Sequence, residues 1–213
     1  MADILGASYG ALLDTLDGID DELGWRPTGC AGWTVRDLVF HLLEDARRAL
    51  VALGTPASGP ADVDAVTYWI GWLPGTDGAG RMQRSTRIMA SVWTSVTSIA
   101  EIYAETARAV LTTAGRFGGD ELVATQGHVL SVRDLTSTLA VEATIHQIDL
   151  GLGAPSTVGL AEARRVLDAL LGRPVPASWD DRRWLLLGTG RAVPSADEQA
   201  WLGADAARLP LFG

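Results

Sequence analysis

The sequence contains no lysine: all 17 basic residues are arginine. A GC-rich coding sequence gives that bias without any functional demand. The chemical consequence is narrow, since a lysine Schiff base and a lysine general base are both excluded. There is one cysteine, Cys30, so no disulfide can form within the chain, and a reducing compartment is the simplest setting. No apolar run approaches the roughly 18 residues that a membrane-spanning helix needs. The opening residues, Met1-Ala2-Asp3-Ile4, lack the basic start and apolar stretch of a signal peptide. A cytoplasmic protein with no membrane partner is expected. Positive charge is also in short supply: 17 arginines against 26 acidic residues give a net charge of -9 and a pI of about 4.7. That balance repels phosphate backbones and argues against a nucleic-acid partner.

What is present is an ordinary globular composition, 47% hydrophobic and 20% charged over 213 residues. Apolar residues recur at helical spacing from Asp3 to Leu23, with Gly24 and Pro27 as the stop. Thr34-Val-Arg-Asp37 opens a second helix. Thr34 is the cap, and Asp37 lies three residues on, where a carboxylate suits the free amides. A short helix over Val63 to Leu73, rich in Trp and Tyr, and a long one from Arg81 to Ala114 follow. Residues Arg116 to Leu130, with three glycines, read as an extended or hairpin segment. Ser131-Val-Arg-Asp134-Leu135 echoes the earlier start and opens a helix to Leu150, stopped by Gly151. The last sixty residues or so read as helices from Ala161 to Leu171 and from Ser195 to Arg208, with a segment Trp179 to Leu187 between them. Four main helices with short links make a bundle the natural architecture. The expected organisation is a mainly α bundle over residues 1–152, with a small C-terminal α(+β) appendage over residues 153–213 packed on it.

Only three histidines occur, and His41 and His146 sit in apolar helical stretches. Glu142 precedes His146 by four residues, and on a helix such residues differ by about 40° in rotation and about 6 Å along the axis. One divalent ion can touch both. No other charge lies between Asp134 and Asp149, and an unpaired carboxylate in apolar surroundings is costly. Two readings follow from spacing alone: an open two-histidine, one-carboxylate metal site, or a Glu142–His146 hydrogen bond with His41 as a separate core histidine.

Cys30-Ala-Gly-Trp-Thr-Val-Arg-Asp-Leu-Val-Phe-His41-Leu resembles the first-helix signature of the mycothiol-dependent maleylpyruvate isomerase family of the DinB-like superfamily. Val141-Glu-Ala-Thr-Ile-His-Gln-Ile-Asp149 resembles its second signature, Glu-x-x-x-His-x-x-Asp. The tail, Leu187-Gly-Thr-Gly-Arg191 through Leu209-Pro-Leu-Phe212, is similar to the end of many actinobacterial members.

The resemblance implies a DinB-like antiparallel four-helix bundle whose divalent metal is held by His41, Glu142 and His146. The metal would be zinc, with nickel or iron as alternatives, and Asp149 would be a partner behind the ligands or a helix-end residue. It also implies mycothiol as the thiol cosubstrate. The metal would activate the thiol as thiolate for attack on an electrophilic small molecule, in a transferase or isomerase. The other reading is a non-catalytic metal- or ligand-binding bundle.

Arg81, Arg84, Arg87 and Arg191 are candidates for substrate carboxylates; each also reads as a surface arginine. Cys30 has no sequence-evident base, His128 reads as a surface or structural residue, and Trp33, Trp69 and Trp72 read as packing. Gly188-Thr-Gly190 is too short for a phosphate loop. A monomer and a homodimer are equally compatible with the sequence.

Overall fold

Both helix starts are built as their sequences suggest. Asp37 accepts hydrogen bonds from the amide and the hydroxyl of Thr34 (2.8 and 2.9 Å) at the head of a helix over Val35–Leu53. Ser131 accepts from the amide of Asp134 (3.0 Å) at the head of a helix over Val132–Leu150, which Gly151 ends in the left-handed conformation (φ 64). The computed structural model describes residues 2–71 and 77–212. In chain order its helices are α1 (Ala2–Leu16), α2 (Asp21–Gly24), α3 (Val35–Leu53), α4 (Asp77–Ser91), α5 (Val96–Ala114), α6 (Val132–Leu150), α7 (Thr157–Leu171), α8 (Asp181–Gly188) and α9 (Ala196–Leu202). Strands β1 (Leu122–Thr125) and β2 (His128–Ser131) lie between α5 and α6 and pair antiparallel, Leu122 opposite Ser131 and Thr125 opposite His128. The expected hairpin is therefore present. Its two-residue turn, Gln126-Gly127, has positive φ at both positions (51 and 86).

Helices α1, α3, α5 and α6 form the bundle. α3 packs chiefly on α5 and α1 on α6, and contacts between α3 and α6 and between α1 and α5 close the ring. Leu12, Leu38, Leu43, Ile99 and Ala140 fill its middle. Each buried Leu or Ile contributes about 1.5–3 kcal/mol relative to exposure. A second apolar cluster joins Trp69, and Val141 and Ile145 of α6, to Val166, Leu167, Trp184 and Phe212. Trp69 and Phe212 stack with ring centroids 4.3 Å apart. Through this cluster the C-terminal extension, whose regular elements among the described residues are α7 to α9 and a 3-10 turn with no strand, lies against α6. Gly159 makes the approach of α7 possible: a Cβ there would collide with Thr144 Oγ1 and Ser8 Oγ, which hydrogen-bond each other (3.2 Å) between α6 and α1.

Several expected boundaries differ. The helix expected from Asp3 to Leu23 stops at Leu16, because Gly18 turns the chain (φ 73) and Asp20 caps α2 by accepting from the amide of Leu23. The helix expected from Arg81 to Ala114 is two, α4 and α5. Ser95 is extended (φ -147, ψ 156) and accepts from the amide of Ser98 (3.1 Å), which starts α5 afresh. The expected helix over Val63 to Leu73 is a 3-10 turn, Thr67–Gly71, where Asp64 accepts from the amides of Val66 and Thr67. Trp72 and Pro74 lie outside the described residues. The closing helix likewise ends at Leu202 and passes into a 3-10 turn, Gly203–Arg208. Among the described residues no helix is long and apolar enough to cross a membrane.

Candidate metal centre

Two neighbouring helices supply the donors. α3 presents His41, and α6 presents Glu142 and, one turn on, His146. His41 Nε2 is 3.0 Å from His146 Nε2, Glu142 Oε1 is 3.1 Å from His146 Nε2, and Glu142 Oε1 is 3.4 Å from His41 Nε2. The ligand-capable atoms of all three lie within 4.8 Å of one another. Ligands about 2.0–2.1 Å from a tetrahedral ion stand about 3.3–3.4 Å apart, so the triangle is close to what such an ion requires. The residues present therefore fit a divalent metal. The same three side chains are brought together that the sequence motifs single out.

Behind His146 lies a second layer. Its Nδ1 is 3.0 Å from Asp149 Oδ2, which assigns the proton to Nδ1 and leaves the Nε2 lone pair for the centre. Asp149 is 4% exposed. Arg191 grips it in the bidentate manner, Nε donating to Oδ1 (2.8 Å) and Nη2 to Oδ2 (2.9 Å). Cys30 donates its S–H to Asp149 Oδ2 (3.2 Å), and its sulfur is 3.8 Å from His146 Nδ1. The loop carrying Cys30 is pinned by Gly29, whose amide donates to the Asp149 carbonyl (2.8 Å). A Cβ on Gly29 would lie 2.7 Å from Asp149 Oδ1, so only glycine passes so close. Cys30, His146 and Asp149 form another group of ligand types. With the Arg191 guanidinium already on both Asp149 oxygens, that group is poorly suited to a second cation.

The electrostatics follow from these contacts. Burial pushes Asp149 up, but hydrogen bonds from His146 and Arg191 outweigh it and hold the carboxyl below the usual range. Burial likewise opposes ionisation of Glu142, and the hydrogen bonds to His146 and His41 win, lowering it. For His146, burial disfavours the charge, yet Asp149, Cys30 and Glu142 together raise it well above an ordinary histidine while no metal is bound.

Around this core, Trp33 packs its ring 5.1 Å from that of His41 and donates Nε1–H to the carbonyl of Gln83 (3.3 Å). Gln83 also donates to the carbonyl of Ala31. Gln83 of α4 thus contacts both Trp33 and the loop beside the centre. Arg81 and Arg84 flank Gln83, and they and Arg87 are exposed. Arg191 faces Asp149 instead of solvent. His128 is at the surface, its Nδ1 3.0 Å from Asp62 Oδ2. Two participants escaped the sequence reading: Cys30, set aside for want of a nearby base, and Asp45, one turn after His41, whose Oδ2 is 3.3 Å from His41 Nε2.

No curated protein and no solved structure was found to match the chain. Residues 5–151, from α1 to the residue that follows α6, match the sequence model described as the mycothiol maleylpyruvate isomerase N-terminal domain. His41, Glu142, His146 and Asp149 all fall inside that stretch, which is well over half of the sequence, and the chain belongs to the mycothiol maleylpyruvate isomerase N-terminal domain family.

Proposed function

We propose that this protein is a cytoplasmic enzyme that binds one divalent metal at His41, Glu142 and His146. It uses mycothiol as cosubstrate in an S-transfer or an isomerisation of a small electrophile. The observation that carries the reading is the compact set of two imidazole nitrogens and one carboxylate oxygen, three donors where a closed structural site has four. Membership of a mycothiol-linked family supports the choice of thiol. Zinc suits the donor set, with nickel and iron as alternatives.

A metal bound there would favour the thiolate of a coordinated thiol, whose free pKa is about 8.5 and which is otherwise mostly protonated at neutral pH. The chain's own residues do the rest. Asp149, fixed by Arg191, holds the His146 ring by its Nδ1 proton and keeps Nε2 aimed at the centre. Trp33 and the Cys30 loop wall one side and exclude water. In this reading Arg81 and Arg84, exposed on α4 to either side of Gln83, receive carboxylates of the electrophile or the thiol.

The test is metal content and thiol-dependent turnover. Untagged protein purified without chelators should carry about one metal per chain, the His41→Ala/His146→Ala variant none, and loaded wild type should consume an electrophile such as maleylpyruvate only when mycothiol is present. Metal-free wild type that cannot be reconstituted overturns the proposal. Metal and mycothiol binding without turnover of any electrophile assigns a binding protein instead.

A further inference from the structure

Exposed apolar side chains scattered singly are ordinary, but four of them cluster at the end of α4. Ile88 and Met89 in its last turn, Val92 just beyond it and Trp25 after α2 are each more than half exposed. Thr86 and Ala90 bury the other side of α4, so the face that carries Ile88 points away from the bundle. Arg36 draws the cluster together. Its buried side chain donates Nε–H to the carbonyl of Ala90 (3.1 Å) and Nη2–H to that of Trp93, and its guanidinium carbon lies 5.3 Å from the centre of the Trp25 ring. Trp25 is thereby held beside the end of α4 without being covered. A fixed tryptophan among aliphatic side chains and arginine has the composition of the core of a protein interface. The two ends of the strip differ in charge. Trp25 closes the turn that holds Glu22, its amide donating to the Glu22 carbonyl (3.3 Å), and Asp17, Asp20 and Glu22 are exposed. At the other end Arg87 and Arg84 are exposed, about 6 and 10 Å before the last residue of α4. No acidic residue occurs from Arg81 to Ala100.

We infer that this strip is the interface of a two-fold symmetric homodimer. Acidic, apolar and basic segments follow one another across it, so a second copy turned by half a revolution about the apolar middle matches all three. Glu22 of one copy then meets Arg87 of the other, twice, as the symmetry requires. Trp25 and Ile88 supply the contact that water leaves, and the charge pairs fix the orientation. A face complementary to itself selects a second copy of this chain. An anionic membrane would attract the arginines, but Asp20, Glu22 and a net charge of -9 repel it. The interface stands whether or not the centre holds a metal.

Sedimentation equilibrium of the full chain across micromolar concentrations tests the inference. Wild type should sediment as a concentration-dependent dimer. Ile88→Glu, Arg87→Glu and Glu22→Arg should each weaken self-association at least about tenfold while keeping the wild-type circular dichroism. Each of them puts like charges, or a charge in an apolar contact, at two symmetric places. Mixing Arg87→Glu with Glu22→Arg should restore the dimer, because both contacts again join opposite charges, and the double variant should associate with itself as wild type does. Wild type that stays monomeric overturns the inference, as does a dimer that any of the three substitutions leaves intact. Charge variants that fail to pair when mixed overturn it as well. Monomeric wild type retained by phosphatidylserine vesicles overturns it by assigning the face to a membrane.

Discussion

Replacing Asp149 with leucine separates what holds the fold from what orients the metal ligand. The substitution leaves the Arg191 guanidinium with no anion and His146 Nδ1 with no acceptor. Removing one member of a buried ion pair costs about 3–5 kcal/mol. Here Asp149 is nearly sealed, 2% exposed in its side chain, while Arg191 is 19% exposed, so water relieves part of the loss and about 3 kcal/mol is expected. In a protein of this size each kcal/mol moves the melting temperature by about 2–4 °C, so the midpoint should fall by about 6–12 °C. Loss of the carboxylate behind a ligating histidine lowers metal affinity about 10–100-fold. The double variant Asp149→Leu/Arg191→Leu breaks the two effects apart. With no charge left unpaired, thermal stability should return to near the wild-type value, while metal affinity stays low because His146 still lacks its acceptor. Scanning calorimetry of the metal-free proteins and zinc competition against a chromophoric chelator give both numbers. A double variant that melts as low as the single one, or that regains metal affinity, refutes the reasoning.

Metal affinity should fall with pH by about tenfold per unit for each proton displaced, because metal-free His146 is held protonated well above the ordinary histidine range; a titration in buffers of different ionisation enthalpy reads the released proton. The same shift makes the His146 charge stabilise the metal-free fold fully below about pH 6.5 and less as pH rises through its raised value. Glu142 and Asp149, lowered, contribute above about pH 4 and lose that contribution as pH falls through their depressed values. The metal-free melting temperature should therefore peak between about pH 5 and 6.5. Gly29→Ala places a methyl 2.7 Å from Asp149 Oδ1, and should cost about 1–3 kcal/mol of stability together with a measurable loss of zinc affinity. Gly159→Val should lift α7 from α1 and α6 and destabilise the fold by a similar amount, about 1–3 kcal/mol, with zinc stoichiometry unchanged. Asp62→Asn, which breaks the surface contact with His128, should leave both melting temperature and metal content as they are.

The features legible in the sequence are those encoded within one turn of helix. The caps at Thr34 and Ser131, the stop at Gly151 and the Glu142–His146 pair are local, so spacing alone places them. Ser95 carries an equally local cap signal, but it sits in an apolar run with no Gly or Pro, and there periodicity reads straight through the break. Asp45 was hidden differently. In Glu44-Asp45-Ala46-Arg47-Arg48 it looks like part of a charged, solvated face, and only the packing of α3 against its neighbours turns it inward. The grip of Arg191 on Asp149 joins residues 42 apart, and no periodicity carries such a pairing. Cys30 lacks a basic neighbour in sequence and acquires His146 and Asp149 only when the loop folds over the end of α6.

The Arg191 clamp also lies outside the stretch that matches the family, which ends at residue 151. The proposed ligands and Asp149 thus lie in one part of the chain, and the arginine that pairs with Asp149 lies in another. If the proposed centre holds, changes at Arg191 should reset the basicity and aim of His146 through Asp149 without touching a proposed ligand. A common bundle fitted with different C-terminal ends becomes a series of differently biased centres, and chimeras that exchange residues 153–213 between relatives are the way to read the bias out.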